Sequence, residues 1–178
     1  MLSMRNVVAF GLVLAFAVSA FASMSALADD DDEADWVAVL NGANERPDPR
    51  VTRARGVALF FMNDDGTLDY KILVANINNV FAAHIHCGSA AVAGPVGVTL
   101  YMGTPASGRF DGVLVTGTIS MPDAGNGCGW TTFAQVIAAM NGPDTYVNVH
   151  TNDGVAPTNT GPGDFPAGEI RGQIRLAD

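Results

Sequence analysis

Apolar and polar positions alternate along most of this chain in short runs, each closed by turn residues. From Leu68 onward, Leu68, Tyr70, Ile72 and Val74 fall on one side, and Asp69, Lys71 and Leu73 on the other. A period of two marks a β-strand, because successive side chains point to opposite faces. Runs of this kind occupy Trp36–Leu40, Gly56–Met62, Leu68–Ile77, Val80–Cys87, Gly97–Tyr101, Val113–Met121, Tyr146–Thr151 and Gly168–Leu176. Asn63-Asp64-Asp65-Gly66, between the second and third runs, predicts a hairpin turn, since Asp-Gly tolerates positive φ. In the last run Glu169, Arg171, Gln173 and Arg175 alternate with Ile170, Gly172, Ile174 and Leu176. A glycine inside a strand predicts a bulge or a close backbone approach. One stretch has another period. Phe133, Val136, Ile137 and Met140 recur at helical spacing after Thr131-Thr132 and stop at Asn141-Gly142-Pro143, which predicts a short helix over 132–140. The residues from Asn152 to Ala167, rich in Gly, Pro, Asn and Thr, read as a long surface loop. About eight strands with one short helix predict an all-β sandwich of two sheets.

The beginning of the chain follows neither pattern. Arg5 precedes a nearly all-apolar run from Val7 to Ala22, and Ala26-Leu27-Ala28 supplies a small-x-small cleavage signal. That order predicts a signal peptide over 1–28, removed after Ala28. The apolar core is short for a membrane span, which needs about 20 apolar residues, so no stable span is expected after cleavage. Residues 29–35 open with the run Asp29 to Glu33 and read as an acidic, disordered mature terminus. The folded domain is expected over 36–178, and the protein is expected to be secreted or periplasmic.

Charge narrows the partners. Loss of Arg5 from the 9 basic and 18 acidic residues leaves 8 against 18, a net charge of −10. Nucleic acid and anionic lipid both require clustered Lys or Arg, so neither is an expected partner. The chain has two cysteines, Cys87 and Cys128. An even count in an exported chain predicts a disulfide between them.

All three histidines lie in two strand-like runs. His84 and His86 share one face of the first, with Ala83, Ile85 and Cys87 on the other; Tyr146, Asn148 and His150 share one face of the second. Residues i and i+2 stand about 6.7 Å apart along a strand, which lets two imidazoles reach one ion. If the two strands are neighbours with polar faces aligned, three imidazoles converge into a mononuclear copper or zinc site. The fourth position is then open or taken by Glu169, or Glu169 orients an imidazole from behind while Arg171 draws an anion to the site. The same residues also fit a buried polar ladder, with each imidazole bonded to Asn148, Glu169 or a backbone carbonyl and Glu169 paired with Arg171.

Several pieces, taken in order, resemble the CHRD domain, first named in chordin and found alone in exported bacterial proteins. They are Leu40-Asn41-Gly42 to Pro47, Gly56-Val57-Ala58-Leu59, Ala83-His84-Ile85-His86-Cys87-Gly88 with Gly94-Pro95-Val96, Tyr146 to Thr151, and Gly168-Glu169-Ile170-Arg171-Gly172. The resemblance spans about Val37 to Leu176, with a longer Thr151–Gly168 connection than the family's. It implies a non-enzymatic extracytoplasmic binding or scaffold module, whose partner is an extracellular or periplasmic protein or other ligand. A more distant resemblance links the chain to the Cu,Zn superoxide dismutases, Greek-key sandwiches with a His-x-His strand and a later Val-His strand. Together the two imply a Greek-key fold of the immunoglobulin or superoxide-dismutase-like kind. The second resemblance puts copper on His84, His86 and His150. With no further histidine in the chain, the bimetallic centre is excluded. A mononuclear copper-binding redox or dismutase-like protein is the alternative reading.

Overall fold

The computed structural model describes residues 33–177. The expected signal peptide and most of the acidic run lie outside the described residues. Nine strands form: β1 (Trp36–Asn41), β2 (Arg55–Met62), β3 (Leu68–Asn78), β4 (Val80–Cys87), β5 (Val96–Met102), β6 (Arg109–Ile119), β7 (Thr145–Thr151), β8 (Ile170–Gln173) and β9 (Arg175–Leu176). Among the described residues one α-helix, α1 (Phe133–Met140), precedes β7, and a single 3-10 turn, Gly42–Asn44, follows β1. Among the described residues no helix is long and apolar enough to cross a membrane.

The strands hydrogen-bond in the order β5-β4-β7-β8-β1-β2-β3-β6, with β9 also against β1. The two layers of the expected sandwich are therefore two halves of one antiparallel sheet, continuous because β1 bonds both β2 and β8. The sheet folds back on itself around one core. Leu40, Phe60 and Ile72 from one half meet Ile85, Val98 and Val147 from the other. Tyr70 Oη, from the first part of β3, donates to the Leu100 carbonyl of β5 at 2.6 Å. A buried phenol needs such a partner, and this one ties the two halves together.

Local signals act as expected. At the β2–β3 hairpin Gly66 takes φ +81° and Asn63 N–H donates to the Thr67 carbonyl at 2.9 Å. Thr132 caps α1 through a capping box with Gln135, which places Val136 and Met140 in the core. Gly172 is a close approach: a Cβ there would run into the Val39 carbonyl on β1. Most strand ends fall within two residues of the periodicity, and two differences are larger. β6 starts at Arg109 rather than Val113, and the last run splits at Ile174, whose side chain is buried while Arg175 and Leu176 are exposed. β9 pairs with Trp36 and Val37 in the same register that sets Arg171 against Asn41, so it continues β8 along β1 beyond the break at Ile174.

Cys87, the last residue of β4, is bonded to Cys128, with Cα atoms 5.8 Å apart. This ties the 121–131 loop to the β4–β5 hairpin, where Gly127 N–H also donates to the Val96 carbonyl at 3.0 Å. The bridge closes a loop of 41 residues. In the chain-entropy account that is worth roughly 4 kcal/mol. The double variant Cys87→Ser/Cys128→Ser should lose stability of that order in urea unfolding. A loss below about 1 kcal/mol would place the stabilisation elsewhere.

Candidate metal centre

The centre stands on the non-core face of β4, β7 and β8. Ala83 and Ile85 of β4, with Val147 and Val149 of β7, are fully buried in the core and fix which way these strands face. The residues between them must then face the other side. In the register His84 lies opposite Asn148, His86 opposite Tyr146, and Ala82 opposite His150. His84 and His150 are diagonal neighbours with ring centroids 4.9 Å apart, while His86 stands 5.6 Å from each of them. Arg171 and Gln173 of β8 continue the same face beyond Asn148 and Tyr146.

One ligand nitrogen from each of the three histidines lies within 4.8 Å of the others. His86 Nδ1 sits 2.9 Å from the Gly94 carbonyl and His150 Nδ1 3.0 Å from the Pro166 carbonyl. A carbonyl only accepts, so both Nδ1 atoms carry the hydrogen and both Nε2 atoms keep a free lone pair. His86 Nε2, His150 Nε2 and His84 Nδ1 are all buried without a hydrogen-bond partner. An unpaired buried nitrogen costs about 1–3 kcal/mol, and this face holds three of them. Nitrogen atoms around one ion at about 2.0–2.1 Å stand roughly 3.4 Å apart, so the rings need to close by at most about 1.4 Å to hold it.

Burial also sets their charge. His86 and His150 are 7% and 6% exposed. Desolvation pushes His86 down to about 4 against the opposing bond to Gly94, and pushes His150 down to about 3, with the neighbouring imidazoles adding to it. His84, half-buried, is lowered by the same cause, opposed by Asp123. All three imidazoles are neutral at pH 7, the form that binds a metal.

The family model for the CHRD domain matches residues 36–174. The chain belongs to the CHRD family. No curated protein matches the chain at a significant level.

In this CHRD domain the two other residues expected at the centre are engaged elsewhere. Glu169 Oε1 accepts from Thr52 Oγ1 at 2.6 Å, and Oε2 accepts from Thr151 Oγ1 and the Gly163 N–H. No hydrogen bond joins it to an imidazole or to Arg171 among the described residues. It tethers the 152–168 loop to β7. Arg171 is 1% exposed. Its guanidinium donates to the carbonyls of Ser89 and Val92 and to Gln173 Oε1, and lies 3.4 Å from the centroid of the Tyr146 ring. At 1% exposure the guanidinium is turned towards these partners rather than towards solvent.

Sequence patterns gave no warning of Glu45, in the turn after β1. It is 2% exposed and bonded to Asn148 Nδ2 at 3.4 Å, and its Oε1 has no partner. Asn148 Oδ1 is likewise unpaired, and both oxygens lie where a Cβ at Gly168 would clash with them. Burial pushes the carboxyl up to about 7, outweighing the pull of Arg171, the bond to Asn148, and Arg50. A proton on Glu45 turns one of two facing acceptors into a donor. A raised carboxyl stabilises the fold below its unfolded value of 4.5, and that stabilisation is lost as pH rises through about 7. The depressed histidines act oppositely, losing stability as pH falls below about 6.5. Glu45→Gln cannot ionise. Relative to the wild type it should therefore gain on the order of 3 kcal/mol between pH 4.5 and 8 in urea unfolding, and parallel pH profiles would refute the assignment.

Proposed function

We propose that this CHRD-domain chain is an exported, non-enzymatic binding module that holds a single transition-metal ion, copper before zinc, on His84, His86 and His150. One observation carries the reading: three imidazoles converge, and each has a ring nitrogen buried without a partner within the protein. A polar ladder would have used those nitrogens up. Imidazole donors suit copper and zinc, and copper binds more tightly at a given nitrogen site. The Gly94 and Pro166 carbonyls supply the orienting contacts behind two of the rings that metal-ligating histidines ordinarily have.

Binding is favoured over dismutase-like turnover by Arg171. An enzyme acting on an anion needs a cation beside its open position, whereas this guanidinium is buried and committed to carbonyls. Export is supported by the leader-like order of residues 1–28 and by the Cys87–Cys128 bridge, a bond kept in oxidising compartments. Released protein is expected to begin at Asp29, which N-terminal sequencing reads directly.

Metal-free protein, purified without a His tag, should take up close to one copper per chain. His86→Ala and His150→Ala should each abolish that uptake. At free copper a hundredfold above its dissociation constant, binding should add about 2.7 kcal/mol to unfolding. Metal analysis showing no uptake, or uptake indifferent to both substitutions, would overturn the proposal.

A further inference from the structure

We infer that Tyr146 and Arg171 are the positioning residues of the histidine centre: Tyr146, clamped between the Arg171 guanidinium and the His86 ring, fixes the plane of His86 and, through Gly94, the nitrogen it turns towards the ion. This rests on the metal-binding reading above and adds residues that touch no ion themselves.

Tyr146 lies directly across the β4–β7 ladder from His86. Their rings stack, with centroids 4.9 Å apart and planes 11° from parallel. Because β7 runs between β4 and β8, His86 and Arg171 reach the phenol ring from opposite sides. The guanidinium covers its second face at 3.4 Å from the centroid. A ring held on both faces has one plane available to it, and His86 inherits that plane.

The phenol oxygen sets the nitrogen. Tyr146 Oη accepts from the Gly94 N–H at 2.8 Å and donates to the Gly94 carbonyl at 3.2 Å. That carbonyl is the one that takes the hydrogen of His86 Nδ1. Gly94 is held from behind as well: a Cβ at this position would run into the Cys87 carbonyl, so the peptide reaches its place only as glycine. Arg171 holds the rest of the loop, with Nη1 on the Val92 carbonyl at 2.7 Å and Nη2 on the Ser89 carbonyl at 2.8 Å. One guanidinium therefore steadies both the ring beside His86 and the loop that carries its hydrogen-bond acceptor. His150 has the Pro166 carbonyl on Nδ1 and no stacked ring: His84, His86 and Phe81 lie 4.9, 5.6 and 6.2 Å away between centroids, edge-on or tilted.

A loop clasp serving stability alone would leave the imidazole tautomer untouched, and this separates the two roles. The test uses Tyr146→Phe, which keeps the stack and loses the hydroxyl, with Tyr146→Leu and Arg171→Lys. The readouts are the His86 tautomer by nitrogen-15 NMR of metal-free protein near pH 7.5, and copper affinity by chelator competition. We expect wild-type His86 to be the Nδ1–H form and Tyr146→Phe to mix the tautomers and weaken copper about 10-fold. Tyr146→Leu should weaken it up to about 100-fold, and Arg171→Lys should fall between them. An unchanged tautomer overturns the inference, whether copper affinity holds within twofold or falls, because a fall without a tautomer change is general loosening. Should Tyr146→Leu fail to fold, Tyr146→Phe alone decides. If the wild type takes up no copper, the metal reading fails by itself, and the tautomer arm still decides whether Tyr146 positions His86.

Discussion

The pairing register of β4 with β7 is the constraint on which the candidate centre and much of the core both depend. Side chains alternate along a strand, so a slip of one residue exchanges every core position for a polar one. Here it would take Val147 and Val149 out of the core and drive Tyr146, Asn148 and His150 into it. That penalty is severe because both faces of β7 are buried: all seven of its residues are shielded from solvent. The disulfide acts next to that pairing, holding the end of β4, where Cys87 lies opposite Thr145, to the 121–131 loop.

Burying the polar face makes the loops part of the centre. Loop 88–95 covers His86 and Tyr146, and the 152–168 loop brings the Pro166 carbonyl to His150. Each loop is held by a buried charged side chain spent on polar partners rather than on an opposite charge. Arg171 holds the first through carbonyls, and Glu169 holds the second through Thr151 and the Gly163 N–H. Among the described residues the one ion pair, Arg109 with Asp111, is on the surface. A buried charge satisfied by several hydrogen bonds fixes a backbone conformation more tightly than a single ion pair does, because each bond specifies a separate atom.

How much of this was legible follows from where each signal resides. Phase along β4 and β7 is local, so it placed His84, His86 and His150 on one face and Cys87 on the other. The hairpin at Gly66 and the Thr132 cap are local as well. What pattern could not supply was the partner of each polar residue. Glu169 and Arg171 belong to one alternating run, yet the chain enters β8 only at Ile170, which leaves Glu169 free to turn towards Thr52, 117 positions away. Arg171 meets Ser89 and Val92 across about 80 positions. Glu45 follows a turn that reads as surface, and only the packing of Gly168 and Asn148 over it reveals a buried acid.

The histidines illustrate why burial and metal affinity are linked in such a site. An imidazole with an ordinary value near 6.5 is protonated about thirtyfold over its neutral form at pH 5, and a proton on the ligand nitrogen excludes the ion. His86 and His150, held down to about 4 and 3, stay predominantly neutral at that pH. Burial thus removes the proton as a competitor over the range in which exposed histidines would release a metal. The cost is carried by the folded protein, as unpaired nitrogens and unfavourable desolvation, and the compact core of β4 and β7 supplies the stability that offsets it. A face that merely needed polar residues for register would do better with every nitrogen bonded. Keeping three of them free, neutral and together makes physical sense when an ion completes them.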